Sequence, residues 1–262
     1  MLLAIDIGNS NISLGVFARE ALRLRAKIST QTSRSADEYA AVINDLLRMG
    51  GVEPASLTGC ILSSVVPEKT GLVEAAAARL TGLPVLKVGP GIKTGFRIRI
   101  DDPSQLGGDL VADTLAALTE YGAPVIIVDA GTVTTISAVD GDRTYLGCAI
   151  LPGIRSSAAQ LKAVTSLLPS IDLGLGEQGP LGRSSEESMR CGLLLGSSMQ
   201  VDGFVQQCLA LPKMAGAKVV ATGGSARLVT ARCRTDLTYD EDLTLKGLRC
   251  LYEANPPRVK KR

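Results

Sequence analysis

The 262-residue chain has no histidine and no tryptophan, and its aromatic residues are three phenylalanines and five tyrosines. Without histidine the usual general base is gone, so any base must be a carboxylate or a lysine. Six cysteines lie scattered at positions 60, 148, 191, 208, 233 and 250, with no C-x-x-C pair. With no histidine to join them, they argue against a structural zinc site. Residues 1–5 carry no basic stretch and end at Asp6, so they do not read as an export signal. The cysteines are therefore expected to be reduced and buried, in a cytoplasmic protein. No run of about 18 apolar residues occurs, so no membrane span is expected. Net charge is only +2. The one basic cluster, Arg258-Val259-Lys260-Lys261-Arg262, reads as a solvated end, and no nucleic-acid partner is expected.

What is present is an apolar content of 45%, ample for a packed core, and a loop signature that occurs twice. Asp6-Ile7-Gly8-Asn9-Ser10-Asn11 follows the apolar residues 1–5. Asp129-Ala130-Gly131-Thr132-Val133-Thr134-Thr135 follows residues 124–128. Each is a short strand, an Asp, a Gly two residues later, small polar residues, and more strand. Glycine lets backbone come close to a phosphate. Ser, Thr and Asn supply neutral donors, and the Asp can hold a cation or its water. Two such turns can grip one triphosphate from two sides, which suggests a two-lobed phosphotransferase. An Asx turn is the ordinary reading of either loop alone.

The periodicity predicts strands at 2–5, 11–17, 22–29, 59–66 and 85–88 in the first half. It predicts helices at 35–49, 69–80 and 110–121. Ser35 with Glu38 three residues on makes a capping box, and Gly50-Gly51 stops that helix. The second half repeats the opening: strands at 125–128, 134–139 and 144–150, with Asp140-Gly141-Asp142 as a hairpin turn. Helices follow at 156–165, 186–209, 226–230 and 243–253, with a strand at 219–222. This reads as a duplicated α/β unit, divided into residues 1–118 and 119–262.

The loops, together with Ser63-Ser64-Val65-Val66-Pro67, Gly107-Gly108-Asp109, Leu151-Pro152-Gly153, Gly182-Arg183-Ser184-Ser185 and Ala221-Thr222-Gly223-Gly224, resemble the acetate kinase, sugar kinase, Hsp70 and actin superfamily. Within it the ordered set is similar to the type III pantothenate kinases of coenzyme A synthesis. The resemblance covers nearly the whole chain. It implies two duplicated ribonuclease H-like (actin-like ATPase) domains with a nucleotide cleft between them. It implies ATP with Mg²⁺, a monovalent cation (potassium or ammonium), pantothenate as acceptor, and a homodimer. By resemblance Asp6, Ile7, Gly8, Asn9, Ser10, Asn11, Ile12 and Ser13 line the ATP phosphates, with Asp6 toward Mg²⁺ through water. Thr132, Thr222, Gly223 and Gly224 complete the ATP site, and Asp129 holds the monovalent cation. Asp109 is the base that accepts the proton of the acceptor hydroxyl; its plain structural reading is a helix N-cap.

The departures fall on the acceptor side. Gly107, Gly108 and Asp109 are followed by Leu110 where the family carries arginine, and Ile100 stands where it often carries tyrosine. Ser185 ends a motif that usually ends in threonine but keeps the hydroxyl. Ile100, Gly107, Gly108, Asp109, Leu110 and Ser185 are the expected acceptor contacts. Leucine removes both charge and donors, a loss of about 1.5–3 kcal/mol for one charged hydrogen-bond partner. Arg34, Arg97 and Arg99 are candidate replacements. Two other readings stay open: a catalytically impaired nucleotide-binding paralogue with an accessory or regulatory role, and a kinase of another small hydroxylated acceptor.

Overall fold

The computed structural model describes residues 1–174 and 179–256, so the basic C-terminal cluster lies outside the described residues. In chain order the elements are β1 (Leu2–Ile7), β2 (Asn11–Ala18), β3 (Ala21–Ser29), α1 (Ala36–Met49), β4 (Gly59–Ser64), α2 (Pro67–Thr81), β5 (Val85–Lys87) and β6 (Arg97–Ile98). They continue with α3 (Gly108–Glu120), β7 (Val125–Ala130), β8 (Val133–Val139), β9 (Thr144–Pro152), α4 (Ile154–Val164) and α5 (Ser185–Leu209). The last are β10 (Lys218–Thr222), α6 (Ala226–Thr230), β11 (Thr238–Tyr239) and α7 (Leu243–Ala254).

Two compact units result. The first holds Met1–Gly95, Asp102–Ala116 and the segment from Leu243 onward. The second holds Phe96–Asp101 and Ala117–Asp242. The division thus differs from a cut after residue 118. The C-terminal helix joins the first unit because its apolar face has a place there. Leu243, Leu245, Leu248 and Leu251 are buried, and α7 packs on β1, β2 and β4. Residues 96–101 join the second unit because β6 pairs with β9.

In the first unit the strand order is β3-β2-β1-β4-β5. β1 runs antiparallel to β2 and parallel to β4. Leu3, Ile5 and Ile7 of β1 meet Tyr39, Ile43 and Leu47 of α1 and Val73, Ala76 and Ala77 of α2 in one core. With helices on both faces, β1 and β4 are apolar almost throughout, as a doubly covered sheet requires. Helix α1 starts as the sequence predicts: Glu38 N–H bonds Ser35 Oγ, and Ser35 N–H bonds the Glu38 carboxylate at 2.7 Å.

In the second unit the order is β11-β10-β7-β8-β9-β6. β7, β8, β9, β10 and β11 repeat the pairing of β1, β2, β3, β4 and β5, strand for strand and sense for sense. The duplication expected from the loops is therefore a duplication of topology, with β6 added at one edge. Ile126 and Val128 of β7 and Leu194, Val201 and Val205 of α5 share its core.

Some local expectations change. β4 ends at Ser64, and Pro67 opens α2 as its first residue, where its missing N–H costs nothing. The two-residue strands β6 and β11 give no periodic signal. Of the cysteines only Cys60 and Cys191 are buried; Cys148 is exposed and the others half-buried, and none of them forms a disulfide. Burial pushes the Cys60 thiol up to about 12, so it is inert.

Gly247 of α7 lies against α3 so closely that an added Cβ would meet Ala112 O at 1.9 Å. Gly247→Ala should therefore destabilise the protein by about 3 kcal/mol through backbone displacement. Gly71, inside α2 with open space around it, makes the control: Gly71→Ala should stabilise by about 0.5–1 kcal/mol. Denaturant unfolding of both variants checks the pair.

Candidate active site

Asp6 is the next-to-last residue of β1. It pairs with Ser13 of β2 on one side and Ser63 of β4 on the other. The chain then reverses through Gly8, whose N–H donates to Asn11 O at 3.0 Å. Asn9 is exposed at the tip, Gly8 and Ser10 are half-buried, and Ile7 and Ile12 anchor the two ends in the core. A residue that the sequence reading missed holds this loop. Thr30 donates its Oγ1–H to Gly8 O at 2.8 Å and its N–H to Ser10 O at 3.1 Å. In the sequence it is one hydroxyl in Ser29-Thr30-Gln31-Thr32-Ser33, indistinguishable from turn composition.

The second loop repeats this construction. Asp129 pairs with Thr135 of β8 and Thr222 of β10, and Gly131 N–H donates to Val133 O at 2.9 Å. Thr132 is exposed at the tip, and Ser156 Oγ of α4 donates to its carbonyl at 2.8 Å. Gly223 has φ +94°, and a Cβ there would lie 2.3 Å from Asp129 Oδ1. Only glycine allows that carboxylate and that turn together. The structure thus brings Asp129, Thr222 and Gly223 into contact, with Gly224 exposed beside them. In each unit a carboxylate at a strand end has a hydroxyl residue on both flanks.

Asp109 lies in the first turn of α3, which begins at Gly108 and not at Leu110. It is therefore not the N-cap. Its Oδ1 accepts the N–H of Leu110 at 2.8 Å, which fixes the carboxyl's orientation. Burial pushes its pKa above the ordinary value, only partly offset by the Leu110 N–H. A more basic carboxylate is a better proton acceptor. Ser63 Oγ would lie 2.8 Å from a Cβ on Gly108, so the Asp6 row and the start of α3 meet within the first unit.

The remaining expected acceptor residues divide between the units. Gly107, Gly108, Asp109 and Leu110 belong to the first, Ile100 and Ser185 to the second. Leu110 and Ile100 are half-buried. Ser185 opens α5 after the N-cap Ser184, whose Oγ accepts Glu187 N–H at 3.2 Å. Beside it is a cavity of about 820 Å³ lined by Leu161, Leu168, Arg183, Ser185, Met189 and Leu193 among others. Of the candidate replacement cations, Arg34 bonds Ser29 O at 3.1 Å and Arg97 bonds Asp142 O at 3.1 Å.

The donors available to a cation are oxygens alone: the Asp6 and Asp129 carboxylates with serine and threonine neighbours. Among the described residues no group of three or more His, Cys, Asp or Glu could hold a metal. A single carboxylate beside hydroxyls fits Mg²⁺ that arrives with a nucleotide, because Mg²⁺ keeps several waters and takes the rest of its shell from phosphate.

Two sheets of one strand order, each ending a central strand in an Asp-x-Gly loop, define an α/β protein of the actin-like ATPase and sugar kinase class. Two solved structures share the fold. A Baf family transcriptional activator from Campylobacter jejuni gives a TM-score of 0.61 at 18% identity, covering 97% of this chain and 98% of that one. A 2-dehydro-3-deoxygalactonokinase from Sinorhizobium meliloti gives 0.59 at 13%, covering 99% and 98%. At these identities the likeness speaks for the fold alone.

The particular family follows from sequence: the chain belongs to the type III pantothenate kinases. That family's profile matches residues 2–207. The type III pantothenate kinase of Listeria monocytogenes is 36% identical over 261 residues, covering 100% of both chains. Membership implies ATP and a divalent metal.

The raised pKa of Asp109 has a measurable sign. A carboxyl whose folded pKa exceeds its unfolded value contributes stability that is full below the unfolded pKa and is lost as pH rises through the folded pKa. Asp109→Asn should therefore match wild type in acid and become the more stable protein as pH rises past the ordinary carboxylate range. Thermal unfolding from pH 4 to 8 checks this; a variant that loses stability relative to wild type over that rise contradicts it.

Proposed function

We infer that this chain transfers the γ-phosphoryl group of ATP to the primary hydroxyl of pantothenate, giving 4′-phosphopantothenate, the first step of coenzyme A synthesis. The observation that carries this reading is the full-length kinship with type III pantothenate kinases, joined to a buried, more basic Asp109 beside the Asp6 row.

Phosphoryl transfer asks the protein mainly to position groups and stabilise charge. The loop from Asp6 to Ser13 and the residues Thr132, Thr222, Gly223 and Gly224 are proposed to hold ATP through backbone N–H groups and hydroxyls. Mg²⁺ would be held on the Asp6 side and would neutralise phosphate charge. Asp129 is proposed to hold a monovalent cation, a role suited to a carboxylate set among hydroxyls and carbonyls. Asp109 takes the proton of the acceptor hydroxyl as its oxygen attacks the γ-phosphorus, and ADP leaves. The carboxyl is held for this by Leu110 N–H.

The acceptor site is the part where this sequence has changed. Ser185 and the neighbouring cavity, with aliphatic walls and the Arg183 cation, suit a small molecule with an apolar middle and one carboxylate. A homodimer is part of this reading. Ile150, Val164, Leu167, Leu181 and Met199 of the second unit are exposed apolar side chains, the kind of surface that subunit contacts cover. No described helix is long and apolar enough to cross a membrane, which accords with a cytoplasmic enzyme. Leu110 and Ile100 favour the second reading, a nucleotide-binding paralogue with weakened acceptor use.

Steady-state ADP formation with and without pantothenate, in potassium and Mg²⁺, separates these readings. Wild type should form ADP only with pantothenate; ATP binding without such turnover supports the paralogue. Asp109→Asn should lose about 10²–10⁴ in kcat while its ATP affinity stays the same. Unchanged turnover would remove Asp109 as the base. Leu110→Arg should lower KM for pantothenate by about tenfold, the gain from one charged hydrogen-bond partner. An unchanged KM would mean that another cation already serves the carboxylate.

A further inference from the structure

Ser63 is fully buried, and its Oγ has no hydrogen-bond partner among the described residues. A buried hydroxyl without a partner costs free energy. Such a group in a folded protein points to a partner that binds there. Three observations indicate what that partner is.

The first is register. Ser63 pairs with Asp6 across the parallel strands β1 and β4, so the two side chains leave the same face of the sheet. Both stand at the C-terminal ends of their strands, where sheets of this kind take ligands. The second is the start of α3. A Cβ on Gly108 would lie 2.8 Å from Ser63 Oγ, which places the hydroxyl one residue away from Asp109. Ser63 thus neighbours both the carboxylate expected on the cation side and the helix turn that carries the base. The third is the duplication. In the second unit Thr222 stands beside Asp129 as Ser63 stands beside Asp6. Thr135 flanks the other side of Asp129, and its Oγ1 is also buried without a partner. Each sheet therefore leaves one hydroxyl open beside its loop carboxylate, on the parallel neighbour β4 in the first unit and on the antiparallel neighbour β8 in the second.

We propose that Ser63 is a positioning residue for the hydrated Mg²⁺ that accompanies ATP. Its Oγ hydrogen-bonds a water of that cation next to Asp6, and it does nothing for the ligand-free fold. The proposal rests on the reading that the Asp6 loop binds the ATP phosphates. Mg²⁺ gives up its waters reluctantly, and the protons of those waters need acceptors. A serine oxygen offers two lone pairs and one proton, so it can accept from such a water and still donate to a carboxylate or phosphate oxygen. An alanine can do neither.

The test compares Ser63→Ala with wild type by calorimetric titration of ATP, once with excess chelator and once with Mg²⁺, and by thermal unfolding with and without MgATP. The ligand-free variant should melt at or above the wild-type temperature, because the deleted hydroxyl had no partner. ATP affinity in chelator should be unchanged. The tightening that Mg²⁺ brings should shrink by about tenfold, the value of one charged hydrogen bond, and the rise in melting temperature on adding MgATP should shrink with it. In an Asp6→Asn background Ser63→Ala should cause no further loss of the Mg²⁺ effect, since both act through one cation.

Three results would overturn the proposal: a full Mg²⁺ effect in Ser63→Ala, an equal loss of ATP affinity with and without Mg²⁺, or a lower melting temperature for the ligand-free variant. A wild-type protein whose ATP affinity ignores Mg²⁺ overturns it as well. Neither titration contains pantothenate, so a failure of the acceptor assignment appears only as absent turnover and leaves this readout intact.

Discussion

In each unit one carboxylate closes the central strand of a sheet and is flanked on both sides by hydroxyl-bearing neighbours in register: Ser13, Asp6 and Ser63 in the first, Thr135, Asp129 and Thr222 in the second. A charge at that place cannot sink into the core and cannot move along the chain, because three strands fix its position. The glycine turn beyond it closes on its own backbone, Gly8 N–H donating to Asn11 O and Gly131 N–H to Val133 O. The phosphoryl transfer proposed for this protein needs fixed oxygens around a highly charged ligand, and strand pairing fixes the carboxylate and hydroxyl residues proposed to supply them.

The proposed base is tied to the same constraint. Helix α3 begins against Ser63, so the turn that carries Asp109 is located by the sheet that carries Asp6. Burial at that junction raises the Asp109 pKa. In a chain without histidine, a carboxylate made more basic by a dry setting suits the proton transfer proposed for Asp109.

Much of this was legible in the sequence because it is local. The Asp-x-Gly loops, the Ser35–Glu38 capping box and the apolar runs of β1, β4 and β7 are set by residues a few positions apart. The duplicated strand order followed from reading one loop twice. What was not legible depends on partners distant in sequence. The amphipathic face of α7 is plain, but nothing in it says which sheet it covers; Gly247 against Ala112 and Leu245 against Gly15 decide that. β6 and β11 exist only through their pairing with β9 and β10. Thr30 and Ser63 resemble any turn or strand hydroxyl until the fold brings them to the loop. Asp109 stands out by its motif as a candidate, but its place in the first turn, and not at the cap, came from the helix starting two residues early.

In the proposed reaction the phosphoryl group of ATP ends on an alcohol of pantothenate. Phosphorus NMR of the reaction mixture after incubation with ATP, Mg²⁺, potassium and pantothenate reads this directly. A single new phosphate monoester resonance is expected, coupled to the methylene protons of the acceptor's primary alcohol and rising in step with ADP. A mixture showing only inorganic phosphate, or an acyl phosphate formed on the acceptor carboxylate, would contradict it.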